Sequence, residues 1–125
     1  MTKFEKHLED FKKAVERLEE VLKLEKTDIT RDSAIKRFEI AVDTGWKALK
    51  NYLEDRYGVV YRSPKGCFRE AYQQGLIDYD EYWLRMIDLR NKSMHTYEEM
   101  VAEEVYAELP KALSYLKSLL SLLTK

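Results

Sequence analysis

Cysteine is almost absent from this sequence. Cys67 is the only one in 125 residues, so no intrachain disulfide can form, and with just two histidines no Cys/His metal cluster can be assembled. A metal site is therefore not expected, and no cofactor is implied. Charge of one sign is also missing: the formal net charge is -1, which removes bulk electrostatic attraction to nucleic acid, so any RNA contact must be local and geometric. No apolar run approaches the roughly 18 residues of a membrane span, and the start, MTKFEKHLEDF, lacks the apolar stretch of a secretory signal. A soluble, cytoplasmic protein that does not enter a membrane is expected. Strand-like alternation, internal repeats and low-complexity linkers are absent too.

What remains is helical patterning. Hydrophobic residues make up 45% and charged residues 36%, a balance that suits a compact helical protein and argues against disorder. The length fits one core, so residues 1–125 are read as one domain. Phe4, Leu8, Phe11, Val15, Leu18 and Leu22 recur at spacings of three and four, an apolar stripe along a first helix. The segment TDIT ends it and offers caps for the next, whose stripe is Ile35, Phe38, Val42, Trp46, Leu49 and Leu53. Gly45 lies inside that stripe, at a cost of about 1 kcal/mol relative to Ala, and is either a point of close helix packing or a tolerated defect. Gly58 marks a helix stop, and Ser63-Pro64 marks the start of a short third helix from Pro64 to Gln74, closed by Gly75. Asp78 or Asp80 caps a fourth helix carrying Tyr79, Trp83, Ile87 and Met94. A fifth runs from near Glu99 to the C-terminus, with a kink or break expected at Pro110. The expected fold is all-α: an up-and-down bundle of four main helices plus one short helix.

The fourth helix holds the anomaly. Its stripe runs Tyr79, Trp83, Ile87, Arg90, Met94, so an arginine occupies a position assigned to the core or to an interface. A guanidinium cannot shed its charge, and burial there requires a partner or a wet cleft. His95 follows five residues later, about 140° around a continuous helix, so the two converge only if the helix ends near His95 or if two subunits supply them. The ordinary alternatives are a snorkelling arginine and a histidine placed at a helix C-terminus. Asp88, Asn91 and His95 fall on one face at spacings of three and four, which puts Asp88 in place to support the His95 imidazolium.

Other candidates carry less chemistry. Arg56, Arg62, Lys65 and Arg69 form a basic stretch before and within the third helix, suited to an RNA backbone or an acidic partner surface, or simply a solvated loop. Lys47 and Lys50 follow the same logic with less support. Cys67 reads as a small core residue, His7 as a surface residue, and the many tyrosines (Tyr52, Tyr57, Tyr61, Tyr72, Tyr79 and Tyr82 among them) as packing residues with wet hydroxyls.

The segment RNKSMHTY, with RFEIAVDTGWKALKNYL, SPKGCFREAYQQGLID and YWLRMIDLRNKSMHTY around it, resembles the HEPN superfamily. More closely, it resembles the family called nucleotidyltransferase substrate-binding proteins, and the likeness runs from about Phe4 to Leu123. The resemblance implies a helical bundle that forms a homodimer. It also implies a separately encoded minimal nucleotidyltransferase as partner in a two-component, toxin–antitoxin-like system, with RNA or a nucleotide as a further ligand. In related pairs the HEPN protein is a metal-independent ribonuclease, silenced when the partner transfers AMP to the tyrosine that corresponds to Tyr97. In the substrate-binding family proper, the helical subunit presents a substrate to the nucleotidyltransferase. Two readings follow: a binding subunit with Tyr97 as AMP acceptor, or a dimeric endoribonuclease using Arg90, His95 and Asn91. Histidine supplies a base or an acid near neutral pH, arginine a permanent donor fork for phosphate oxygens, and Asn91 orients His95 or touches the phosphate.

Overall fold

Thr2, Thr27 and Ser63 each accept a hydrogen bond from the backbone N–H three residues ahead, so the first three helices begin where a hydroxyl meets the unpaired amides of a first turn. In the computed structural model, which describes residues 1–125, these helices are α1 (Lys3–Leu22), α2 (Asp28–Tyr57) and α3 (Pro64–Gln73). They are followed by α4 (Tyr82–Lys92), a 3-10 turn (Ser93–His95) and α5 (Glu99–Leu123). Gly58 ends α2 in the left-handed region at φ 67°, a conformation that costs a side chain and not glycine. Asp80 caps the start of α4 by accepting from the Tyr82 N–H at 2.9 Å. The fold is all-α, and no helix is long and apolar enough to cross a membrane.

The helix α2 is the spine. It has 30 residues, about 45 Å at 1.5 Å per residue, and α1, α3, α4 and α5 all pack against it. Twenty-eight buried hydrophobic residues form one continuous core. Gly45 belongs to it for a steric reason: a Cβ at this position would lie 2.8 Å from Cε1 of Phe11, whose side chain is fully buried. The missing side chain makes a notch on α2 that receives the α1 phenyl ring. Of the two readings of Gly45, close packing is the one the structure supports.

Two expectations need correction. Of the kink or break expected at Pro110, the break does not occur: helix α5 is continuous from Glu99 to Leu123. The proline sits on the exposed side between buried Leu109 and Ala112, so only one main-chain hydrogen bond is forgone and the packed face carries the helix across. The expected stripe of the fourth helix was also too long. Tyr79 precedes α4 and Met94 lies beyond it, both 67% exposed, while Tyr82, Trp83, Met86, Ile87 and Leu89 form the buried face.

Ionic and phenolic contacts tie the helices from outside. Arg31 of α2, only 5% exposed, reaches Glu99 and Glu103 at the start of α5, with Asp32 beside it. Tyr115 of α5 donates to Asp80, which with the Tyr82 N–H holds that carboxyl below the usual aspartate range.

Replacing Gly45 with Ala should lower stability by on the order of 1 kcal/mol, because overpacking of about 1–3 kcal/mol outweighs the roughly 1 kcal/mol gain in helix propensity. A fall of about 3–6 °C in Tm by calorimetry is the expected reading. An unchanged or raised Tm would show that Phe11 yields freely. Asp80 sets a second expectation. A carboxyl depressed on folding contributes stability above its ordinary pKa of 3.8, and that contribution is lost as pH falls through the lower folded value. Denaturant unfolding of Asp80→Asn should therefore depend less on pH below about 4 than that of the parent protein.

Candidate functional site at the end of helix α4

Burial of Met86, Ile87 and Leu89 fixes the rotation of α4 and leaves Arg90 at its flank, beside α2. There Arg90 meets Asp43 in a two-pronged pair: Nε donates to Oδ1 and Nη2 to Oδ2, both at 3.0 Å. The Asp43 hydrogen bonds raise the guanidinium above its ordinary value, so it stays charged. A guanidinium has five N–H groups, and this pair uses two. The Nη1 hydrogens and one on Nη2 remain for another acceptor, on a side chain that is 25% exposed.

Just beyond, the chain changes from α to 3-10 geometry. Ser93 is buried, and its Oγ lies 2.6 Å from both the Glu39 carboxylate and the Arg90 carbonyl; its single hydrogen serves one of them at a time. The Glu98 N–H donates to the His95 carbonyl at 3.1 Å and closes the turn. Lys92 pairs with Glu104 of α5. Everything between Ser93 and α5 points outward except the half-buried Thr96. His95 is exposed, Tyr97 is 80% exposed, and their rings stand nearly perpendicular (75°) with centroids 6.1 Å apart. Met94 and Met100 flank them at 67% and 76% exposure.

The helix therefore does end before His95, but the face expected for Asp88, Asn91 and His95 does not form. The 3-10 turn breaks the spacing, Asp88 pairs with Lys65 at 2.6 Å, and Asn91 is exposed without a side-chain hydrogen bond. The basic stretch is dispersed into separate engagements. Arg56 lies over the Tyr52 ring at 4.6 Å, Lys65 is held by Asp88, and Arg62 is exposed in the connection before α3. Arg69 lines a cavity of about 150 Å³ with Tyr72 and Tyr79 that none of the other three enters. Cys67 is fully buried, and burial pushes its thiol up to about 11, which leaves no thiolate for nucleophilic work at neutral pH. Of the tyrosines expected to pack, Tyr82 is buried with its hydroxyl on Glu108 and Tyr52 and Tyr61 lie against the core, whereas Tyr57, Tyr72 and Tyr79 are exposed, the last two edge-on to each other. His7 is not a surface residue. It is half-buried, with Nδ1 2.5 Å from Oδ1 of Asn51, a residue that is 7% exposed.

Sequence reasoning missed Asp43, Glu39 and Arg31, which hold the site. The signal for the first two was present: acids four residues apart on α2, beside the apolar stripe of the same helix.

The Arg90–Asp43 pair is testable in isolation. Arg90→Ala should cost about 1–2 kcal/mol, since it leaves Asp43 without its partner and next to Glu39. Asp43→Ala should cost about as much, and the double variant less than the sum, with a coupling of on the order of 1 kcal/mol. Additive losses in urea unfolding would show that the pair contributes nothing in solution.

Comparison with known proteins gives a consistent result. The profile of the family described as nucleotidyltransferase substrate binding protein like matches residues 6–125. A Thermus thermophilus protein of known crystal structure is 36% identical, with a TM-score of 0.86, over 92% of this chain and 99% of that one. A Haemophilus influenzae protein is 26% identical, with a TM-score of 0.80, over 94% and 99% of the two chains. Its structure is described as revealing the fold of a substrate-binding domain of a nucleotidyltransferase. No curated protein matches the chain.

Proposed function

The chain belongs to the nucleotidyltransferase substrate-binding-protein-like family, and we propose that it is the partner subunit of a separately encoded minimal nucleotidyltransferase, a HEPN-type protein that presents Tyr97 as the acceptor of AMP. The observation that carries this reading is the placement of Tyr97. It is 80% exposed in a segment fixed at both ends, by buried Ser93 on one side and by the Glu99–Arg31 contact on the other. An enzyme could reach the phenol without unfolding the bundle.

The chemistry balances. The Tyr97 oxygen attacks the α-phosphorus of ATP, the bond to the β-phosphate oxygen breaks, and pyrophosphate leaves. The phenolic proton passes to a base, for which the neighbouring His95 ring is the group on this chain. The product would carry a phosphodiester and an adenosine on the segment that follows Arg90, whose unused N–H groups are available to the new negative charge.

A second reading has its own support. Met94, Tyr97 and Met100 expose apolar surface around the segment. A two-fold homodimer covering them would bring two Arg90 and two His95 into one cleft, the arrangement of a metal-independent endoribonuclease. Adenylylated Tyr97 would then block that cleft by competing for Arg90.

Incubation with the partner enzyme and ATP, followed by intact mass and peptide mapping, should show one adenylyl group on Tyr97 and none on Tyr97→Phe. Modification of another tyrosine, such as Tyr106, or no modification at all, would sink the acceptor reading. The unmodified protein assayed on RNA in a chelator separates the two readings. Cleavage abolished by His95→Ala, by a species that light scattering shows to be a dimer, would favour the ribonuclease.

A further inference from the structure

The first two turns of α1 and the second half of α2 line an open surface cavity of about 420 Å³, within the usual range for small-molecule pockets. Its wall carries four lysines: Lys3 and Lys6 from α1, Lys47 and Lys50 from α2. Lys50 has a carboxylate, Glu54, at 3.8 Å, whereas Lys3, Lys6 and Lys47 have no ionic or hydrogen-bonding side-chain partner. No carboxylate lines the cavity. Gathering like charges in one concavity is unfavourable unless an anion joins them.

The remaining lining is equally specific. Trp46 contributes an indole that is only partly covered by the core. Asn51, 7% exposed in the second half of α2, also lines the cavity. His7 engages one end of its carboxamide, and the other end has no protein partner. No buried side-chain polar atom lacks a partner, so the free end of the Asn51 carboxamide is reached by solvent and remains available to a ligand in the cavity that Asn51 lines.

A neighbouring groove sharpens the contrast. It lies further along the same two helices, holds about 660 Å³ and also contains four cations, Lys13, Arg17, Lys36 and Arg37. There Lys13 pairs with Glu9, Lys36 with Glu39, Arg37 donates to the Arg17 carbonyl, and Asp10 lines the wall. Two of its four cations thus have carboxylate partners and a carboxylate lines its wall, whereas in the α1–α2 cavity only Lys50 has such a partner and no carboxylate lines the wall.

We propose that the α1–α2 cavity binds a nucleoside polyphosphate, its phosphates among Lys3, Lys6, Lys47 and Lys50 and its base against the Trp46 indole. The lysines answer a chain of phosphates and the indole a flat aromatic group; Asn51 offers a hydrogen bond to a ligand edge. The site is distinct from the Arg90–Tyr97 segment, and its occupation needs no partner enzyme, so it stands or falls independently of the proposed function.

Titration calorimetry of the full chain with ATP, inorganic tripolyphosphate and a short oligoribonucleotide tests this. ATP should bind, and a Lys6→Gln/Lys47→Gln variant should bind it at least tenfold more weakly. A Lys13→Gln/Lys36→Gln variant, with the same charge loss in the other groove, should bind as the parent does. Trp46→Leu should weaken ATP severalfold and leave tripolyphosphate unchanged. All four lysines are at the surface or half-buried, so retained helicity and Tm confirm that the variants fold. The proposal is overturned if ATP at millimolar concentration does not bind the parent protein, or if both double variants lose affinity equally. Insensitivity of ATP binding to Trp46→Leu would also overturn it, leaving a site for simple anions. Binding of the oligoribonucleotide more tightly than ATP through Lys6 and Lys47 would replace the ligand class with a nucleic-acid strand.

Discussion

The permanence of the guanidinium charge governs how the last third of the chain lies on the rest. An arginine cannot escape burial by losing its proton, so wherever packing places one, carboxylates must follow. Arg31, nearly inaccessible on α2, draws in Glu99 and Glu103 and thereby fixes where α5 begins. Arg90 at the end of α4 is drawn the other way, onto Asp43 of α2. These two ties, one facing outward from α2 and one facing in, set the path of the connecting segment between α4 and α5. The apolar core determines that helices pack; the arginines determine where the chain passes between the last two.

The fold was legible because its signals are local. Helix starts at Thr27 and Ser63, stops at Gly58 and Gly75, and stripes such as Phe11–Val15–Leu18 depend on neighbours a few residues away. The notch at Gly45 could only be offered as one of two readings, because the ring that fills it comes from 34 positions earlier in the chain. Pro110 misled for a related reason: its cost is local, but the packing of Leu109, Ala112 and Leu116 that carries α5 past it is tertiary. At the candidate site the sequence singled out Arg90, His95 and Tyr97 but not what holds them. Asp43 is 47 residues from Arg90, and Glu99 is 68 from Arg31, separations across which periodicity carries no information. Reading Asp88 toward His95 failed because it assumed that α-helical spacing persisted through a turn that is 3-10.

Along α2 the charge reverses on a single face. Glu39 and Asp43 are committed to Ser93 and Arg90; one and two turns further on come Lys47 and Lys50, which face the cavity shared with α1. The acidic half of the strip organises the protein's own chain, and the basic half is left for something else. A nearly neutral total of charges thus conceals a local excess that bulk composition cannot reveal.

The five residues from Met94 to Glu98 have little to do with stability. Both of their ends are secured by contacts that do not involve them, and apart from Thr96 they bury little of themselves. Side chains here can be exchanged at little cost to the fold, because the displayed groups and the stabilising contacts are carried by different residues.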